Sequence, residues 1–242
     1  MIPFLLIVAL AAGFTGAVAA VSSIGIGSVL TPIVAWRYGV KVAVAAVAVP
    51  HAAAMLLRVI RLRKSIDWHV LAGFGSMNAA GGLAGALLIT VLNTRALATM
   101  LGVVLIAVGV AGVFGWSDRI RLSHPASWVA GALSGGFGGL VGSQGPIRSA
   151  AMLGLGVDRK AFVATATAIG LAVDGVRLPV YLSTEGPAML RAWPAIAVAT
   201  AAVLAGTLTG ERLLHRIPER LFKRIVSAII GLIGILFLLL DR

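Results

Sequence analysis

Residues 22–28 read Ser-Ser-Ile-Gly-Ile-Gly-Ser, and residues 142–149 read Gly-Ser-Gln-Gly-Pro-Ile-Arg-Ser. Both are short, polar, glycine-rich breaks in an otherwise apolar chain. Each follows an apolar stretch and precedes a short apolar stretch and a basic turn. Backbone that leaves the helix at membrane depth survives only where protein buries it or where it lines a cavity. Breaks at matching places in two halves of a chain point to a transporter's binding site.

Composition puts the chain in a membrane. Its 242 residues are 60% hydrophobic and 12% charged, with mean hydropathy +1.04. Soluble domains carry about 25% charged residues. No cysteine is present, which excludes disulfides, thiolate catalysis and cysteine metal sites. His51, His69, His124 and His215 are scattered without metal-ligand spacing, so neither a metal nor another cofactor is expected. The net charge of +12 is assigned to basic loops facing anionic lipid rather than to nucleic acid, because no basic run sits on a soluble domain. The first positive charge is Arg37. The N-terminal stretch therefore lacks the basic region of a signal peptide and reads as a retained membrane segment.

Six apolar segments reach the roughly 20 residues of a spanning helix: 42–60, 70–92, 96–116, 161–182, 192–210 and 221–240. Segments 28–36 and 146–157 are too short to span alone. All five tryptophans fall near segment ends, where interfacial belts place them.

The halves align. Gly39-Val40-Lys41 matches Gly156-Val157-Asp158 at an offset of 117 residues. Gly81 and Gly85 match Gly206 and Gly210 at 125, as does Leu92-Asn93-Thr94-Arg95 with Ile217-Pro218-Glu219-Arg220. A nearly constant offset argues for duplication. Residues 1–116 form the first repeat, 117–124 a cytoplasmic linker and 125–242 the second, all within one membrane domain.

The basic residues swap ends between the repeats. They follow the 42–60 helix in the first half (Arg61, Arg63, Lys64) and precede the last helix in the second (Arg212, Arg216, Arg220, Lys223, Arg224). The positive-inside rule then orients the halves oppositely. The expected fold is an all-α polytopic protein of two inverted repeats, each a broken, re-entrant element plus three transmembrane helices. That topology places twelve basic residues inside and five outside, whereas a single crossing by each broken element gives ten and seven. Segment 3–21 is nevertheless long enough to span by itself, so a steep tilt or a full crossing with a half-length return stays open.

The run from the Gly/Ser-rich break through Gly-Val-Lys and a helix to Ser65-Ile66-Asp67-Trp68 and a glycine-striped helix resembles the sulfite exporter family (TauE/SafE). Ser23-Ile24-Gly25-Ile26-Gly27 with Pro32 stands for its first glycine turn, and Gly142-Ser143-Gln144-Gly145-Pro146 for a variant of it. The second copy departs from the pattern at Asp-Trp, where Thr184-Glu185 stands. The resemblance covers nearly the whole chain. It implies a multi-pass inner-membrane exporter of small sulfur-containing anions such as sulfite or organosulfonates.

Arg148 lies in the second break. A charge at that depth is costly and marks function. Guanidinium can grip an oxyanion through two oxygens, or it can cap carbonyls of the hairpin. Pro146 at a helix start leaves N–H groups for an anion. Ser22, Ser23, Ser143 and Gln144 offer neutral hydrogen bonds to a ligand, or satisfy local backbone. Asp174 and Arg177 share a helix face. They form either a packing ion pair or a gate in which substrate competes for Arg177 while Asp174 takes a proton. His51 follows Pro50 inside a helix and is a candidate for substrate contact or proton coupling. Arg58 reads as snorkelling, and Asn78 is a weaker polar candidate. Gly81-x-x-x-Gly85 and Gly206-x-x-x-Gly210 allow close helix approach, between the halves or across a homodimer. The expected partners are thus a small anion, protons as coupling ion, lipid and a second copy.

A passive anion channel, another small organic anion as substrate, an assembly subunit and an intramembrane serine protease are the competing readings. The last lacks a Gly-x-Ser-Gly turn, so an enzyme is not expected. No nucleotide-binding motif supports ATP-driven transport.

Overall fold

The computed structural model describes residues 1–21, 25–116, 123–145, 148–149, 152, 155, 157–214 and 219–240. Among these, every regular element is helical. The helices are α1 (Ile2–Val21), α2 (Ile26–Tyr38), α3 (Val40–Leu62), α4 (Trp68–Val91), α5 (Thr94–Val113), α6 (His124–Val141), α7 (Arg159–Arg191), α8 (Trp193–Leu214) and α9 (Glu219–Leu240). The expected linker falls largely on residues 117–122, outside the described set.

Local chemistry sets the boundaries. Asp67 caps α4 by accepting from the His69 and Val70 N–H groups, each at 3.0 Å. The Asp67 N–H itself donates to Thr165 Oγ1 at 2.8 Å. The Asp-Trp motif is thus a helix start tied to α7. Asn93 caps α5 and Asp158 caps α7 in the same manner. Gly39 turns α2 sharply into α3 at φ 79°, ψ 160°, a backbone shape open essentially to glycine. Inside α4, Leu71–Gly75 widens into a π turn.

Six candidate spans emerge among the described residues, and the list differs from the sequence reading at two places: Ile2–Ala19 is gained, and 221–240 is replaced by a shorter apolar helix. Ile2–Ala19 is continuous and apolar enough to cross. At about 1.5 Å per residue α1 is roughly 30 Å long, whereas α2 reaches only about 20 Å. The first broken element is therefore a full-length helix followed by a half-length one, the alternative that the length of segment 3–21 had kept open. The last helix contributes the apolar run Arg224–Leu239. The chain is a multi-pass membrane protein. All five tryptophans are exposed, as interfacial residues should be.

The half-length α2 is buried along nearly its whole length, from Ile26 to Ala35. It packs on α3, α1 and α9. The most extensive of the other contacts come in exchange pairs. α1 packs on α8 as α4 packs on α6, and α3 on α8 as α7 on α4. α5 with α9 and α3 with α7 pair mates directly.

Glycines make these contacts close. A methyl on Gly81 would overlap the Ala132 carbonyl, and one on Gly85 the Gly136 carbonyl. In the other half, a methyl on Gly206 would overlap the Gly13 carbonyl, and one on Gly210 would meet the Ala17 backbone. Ala132 and Gly136 lie 119 residues after Gly13 and Ala17. Both members of each contact are therefore displaced by a constant offset, so the same glycine-on-carbonyl packing occurs twice. Both glycine pairs are spent between the halves of one chain, which takes them away from a dimer face.

Candidate functional site

The two breaks meet. Ser28 Oγ and Ser143 Oγ share a hydrogen bond of 3.0 Å across 115 residues of sequence. A methyl on Gly27 would overlap the Gly142 carbonyl, so only glycine lets the strands of the two breaks cross at this distance. Gly142 is left-handed (φ 74°, ψ 6°) and ends α6 with its N–H on the Gly138 carbonyl. Past it the chain turns back into helix: Gly145, Arg148, Ser149 and Met152 have helical backbone, and the Arg148 N–H donates to the Gln144 carbonyl at 3.1 Å.

A small cavity opens at the crossing. Gly25, Gly27, Ser28, His51, Gly142, Gln144, Gly145 and Arg148 line it. Its volume, counted where the centre of a water molecule fits, is about 20 Å³, room for one or two waters. The lining Gly25, Gly27 and Ser28 are the N-terminal cap and first turn of α2. Among the described residues no side chain caps that end, so its N–H groups and dipole leave a positive potential at the cavity.

Arg148 is buried, and its Nε and Nη1 have no hydrogen-bond partner among the described residues. Gln144 is equally buried, with both amide atoms unpartnered, although its backbone carbonyl accepts from Ser134 Oγ at 2.8 Å. Buried polar groups are nearly always paired. Gln144 and Arg148 break that rule side by side on one cavity wall.

Behind the cavity lies a polar chain. His51 Nδ1 is 2.6 Å from Asp174 Oδ2. Asp174 Oδ1 accepts from Arg177 Nε at 2.9 Å and lies 2.7 Å from its Nη2. Arg177 Nη1 donates on to the Gly138 carbonyl, and Tyr181 donates to the Gly139 carbonyl. Both are last-turn carbonyls of α6: Gly138 already accepts from the Gly142 N–H and takes Arg177 as a second donor, while Tyr181 supplies Gly139 with a donor from outside the helix. The chain therefore runs from the cavity wall, through α7, to the helix end that carries the second break.

Of the residues singled out in the sequence, His51, Gln144 and Arg148 line the cavity, and Ser143 is bonded to the lining Ser28. Ser22 and Ser23 lie outside the described residues. Asp174 and Arg177 stand one layer behind; Arg177 is engaged with Asp174 and Gly138 rather than facing the cavity. Arg58 is buried at 7% exposure, so it does not snorkel to an interface as expected. Asn78 is fully buried on α4, with both amide atoms unpartnered among the described residues. Sequence reasoning passed over Tyr181. Tyr181 stands four residues after Arg177 on the same helix face, a spacing that could have flagged it.

The family model for Sulfite exporter TauE/SafE matches residues 6–237. The chain belongs to the TauE/SafE family. Members are membrane transporters of sulfite and related sulfur anions, not enzymes. No curated protein and no solved structure gave a significant match. Within the family, this member's cavity sits where its two glycine-rich breaks cross.

Proposed function

We propose that this TauE/SafE protein is a secondary transporter of the cell's inner membrane that exports small sulfur-containing anions, sulfite or organosulfonates, by alternating access. One observation carries the site: the buried Arg148 guanidinium, with Nε and Nη1 unpartnered among the described residues, on the wall of the cavity between the breaks. Arg148 supplies the charge, the α2 N-terminus supplies N–H groups, and Ser28, Ser143 and Gln144 supply neutral hydrogen bonds. Dipoles and hydroxyls suit a carrier, which must release what it binds.

The exchange-paired packing supports two inverted repeats that rock about this point. The Ser28–Ser143 bond is the contact such rocking breaks. His51 touches both the cavity and Asp174, so it is where a coupling proton would sit, while Arg177 and Tyr181 hold the broken end of α6 in place. The present cavity is close to water-sized, which fits an occluded state.

A thermal-shift screen of the purified protein against sulfite, methanesulfonate, acetate and phosphate tests the reading. Sulfite and the sulfonate should stabilise the wild type and leave Arg148→Ala unmoved. Stabilisation by acetate alone would reassign the substrate to carboxylates.

A further inference from the structure

We infer that the anion this site prefers carries a proton of its own: a singly charged oxyanion with one O–H, hydrogensulfite in its hydroxyl form, is held more tightly than a dianion or than a sulfonate, which has no O–H. The inference rests on the proposed anion site and deepens it.

Gln144 is the evidence. Its buried side chain presents one donor, Nε2, and one acceptor, Oε1, and both lack partners among the described residues. Exchanging the two amide atoms leaves the conclusion unchanged, because both are orphaned. An anion built only of acceptors satisfies Nε2 and the Arg148 guanidinium but leaves Oε1 facing a negative oxygen. A ligand O–H satisfies Oε1, while its remaining oxygens accept from Gln144 Nε2, Arg148 and the serine hydroxyls. Among the described residues Arg148 is the only permanently charged side chain on the wall, so one negative charge is matched there. The small volume selects a compact head of this kind in the closed state, and a tail on sulfur needs a more open one. Sites that hydrogen-bond a ligand's O–H reject the analogue lacking it far more strongly than apolar pockets reject an extra group.

The test is isothermal titration of the protein in lipid nanodiscs with sulfite and with methanesulfonate, in mildly acidic and mildly alkaline buffer. Sulfite loses its last proton across this range, whereas methanesulfonate remains a monoanion without O–H throughout. The ionisable groups around the cavity are His51 and Arg58 on α3, Asp174, Arg177 and Tyr181 on α7, and Arg148. Methanesulfonate reports their titration, and the ratio of the two affinities isolates the ligand's proton.

In acid, wild type should prefer sulfite by on the order of 100-fold or more, and the preference should shrink as the buffer turns alkaline. Gln144→Met should bring the acid ratio to within about tenfold, because both anions lose the Nε2 bond and only hydrogensulfite loses the Oε1 bond as well. An unchanged ratio in Gln144→Met, or a wild-type preference for sulfite that grows in alkali, overturns the inference. The wild-type pH comparison decides the matter even where the variant does not fold. Binding of both anions undiminished in Arg148→Ala would instead overturn the anion site itself.

Discussion

Replacing Arg148 by Met should stabilise the protein while abolishing anion binding. Two of the three guanidinium nitrogens are buried and unpartnered. Each orphaned buried donor costs about 1–3 kcal/mol, more when charged. Methionine keeps most of the stem's volume, and the repacking loss is under about 1.5 kcal/mol. The net gain is on the order of 1–4 kcal/mol, within the range measured when buried charges give way to apolar residues. For a chain of this size each kcal/mol moves the melting temperature by about 2–4 °C, so the variant should melt roughly 2–16 °C higher. The assay is intrinsic tryptophan fluorescence during heating in detergent, with and without sulfite. Wild type should gain about 2.7 kcal/mol at sulfite concentrations a hundredfold above Kd, and Arg148→Met nothing. A variant that melts well below wild type would show that Arg148 holds the second break together structurally, and the reasoning from its orphaned nitrogens would fail.

Asp174 behaves oppositely: Asp174→Asn leaves Arg177 buried without its carboxylate and should cost about 3–5 kcal/mol in thermal unfolding. Adding Arg177→Met should recover part of the loss, whereas simple additivity of the two would refute the ion-pair reading. Gly81→Leu and Gly206→Leu should be comparably damaging, each by more than about 3 kcal/mol, since each pushes a side chain into backbone of the other half; harmless substitution at one and not the other would contradict the duplicated packing. Because the chain has no cysteine, Ser28→Cys with Ser143→Cys gives a clean cross-link. Oxidation should stop sulfite flux in proteoliposomes and reductant should restore it, while undiminished flux in the oxidised protein would exclude separation of the breaks during transport.

What could be read without coordinates was what repeats. The 125-residue offset between the two glycine pairs needs only glycines at helical spacing. Burial of a carbonyl against each of them explains why no larger residue stands there. The two breaks were legible for a related reason: serine and glycine in an apolar run leave backbone groups that lipid cannot satisfy. Their crossing was inferable too, because two polar breaks in an apolar bundle bury their backbone best against each other. The division of labour among the charged residues was not. Arg148 and Arg177 look alike in sequence, yet one faces a cavity and the other caps α6, and only the position of Asp174 beneath His51 separates them. Arg58 misled because proximity to a helix end is read as snorkelling, whereas tertiary packing covers it. The ambiguity of segment 3–21 had a physical basis too: its length fits a span, and only the break after it shows that a half-length helix follows.

Sulfite movement across proteoliposomes under an imposed proton gradient tests the central claim most directly. Wild type should drive sulfite against its own gradient with saturable kinetics, and Arg148→Ala, equally well folded, should not move it. Flux that never exceeds the downhill gradient, or that survives in Arg148→Ala, would contradict a carrier whose anion sits where the two breaks cross.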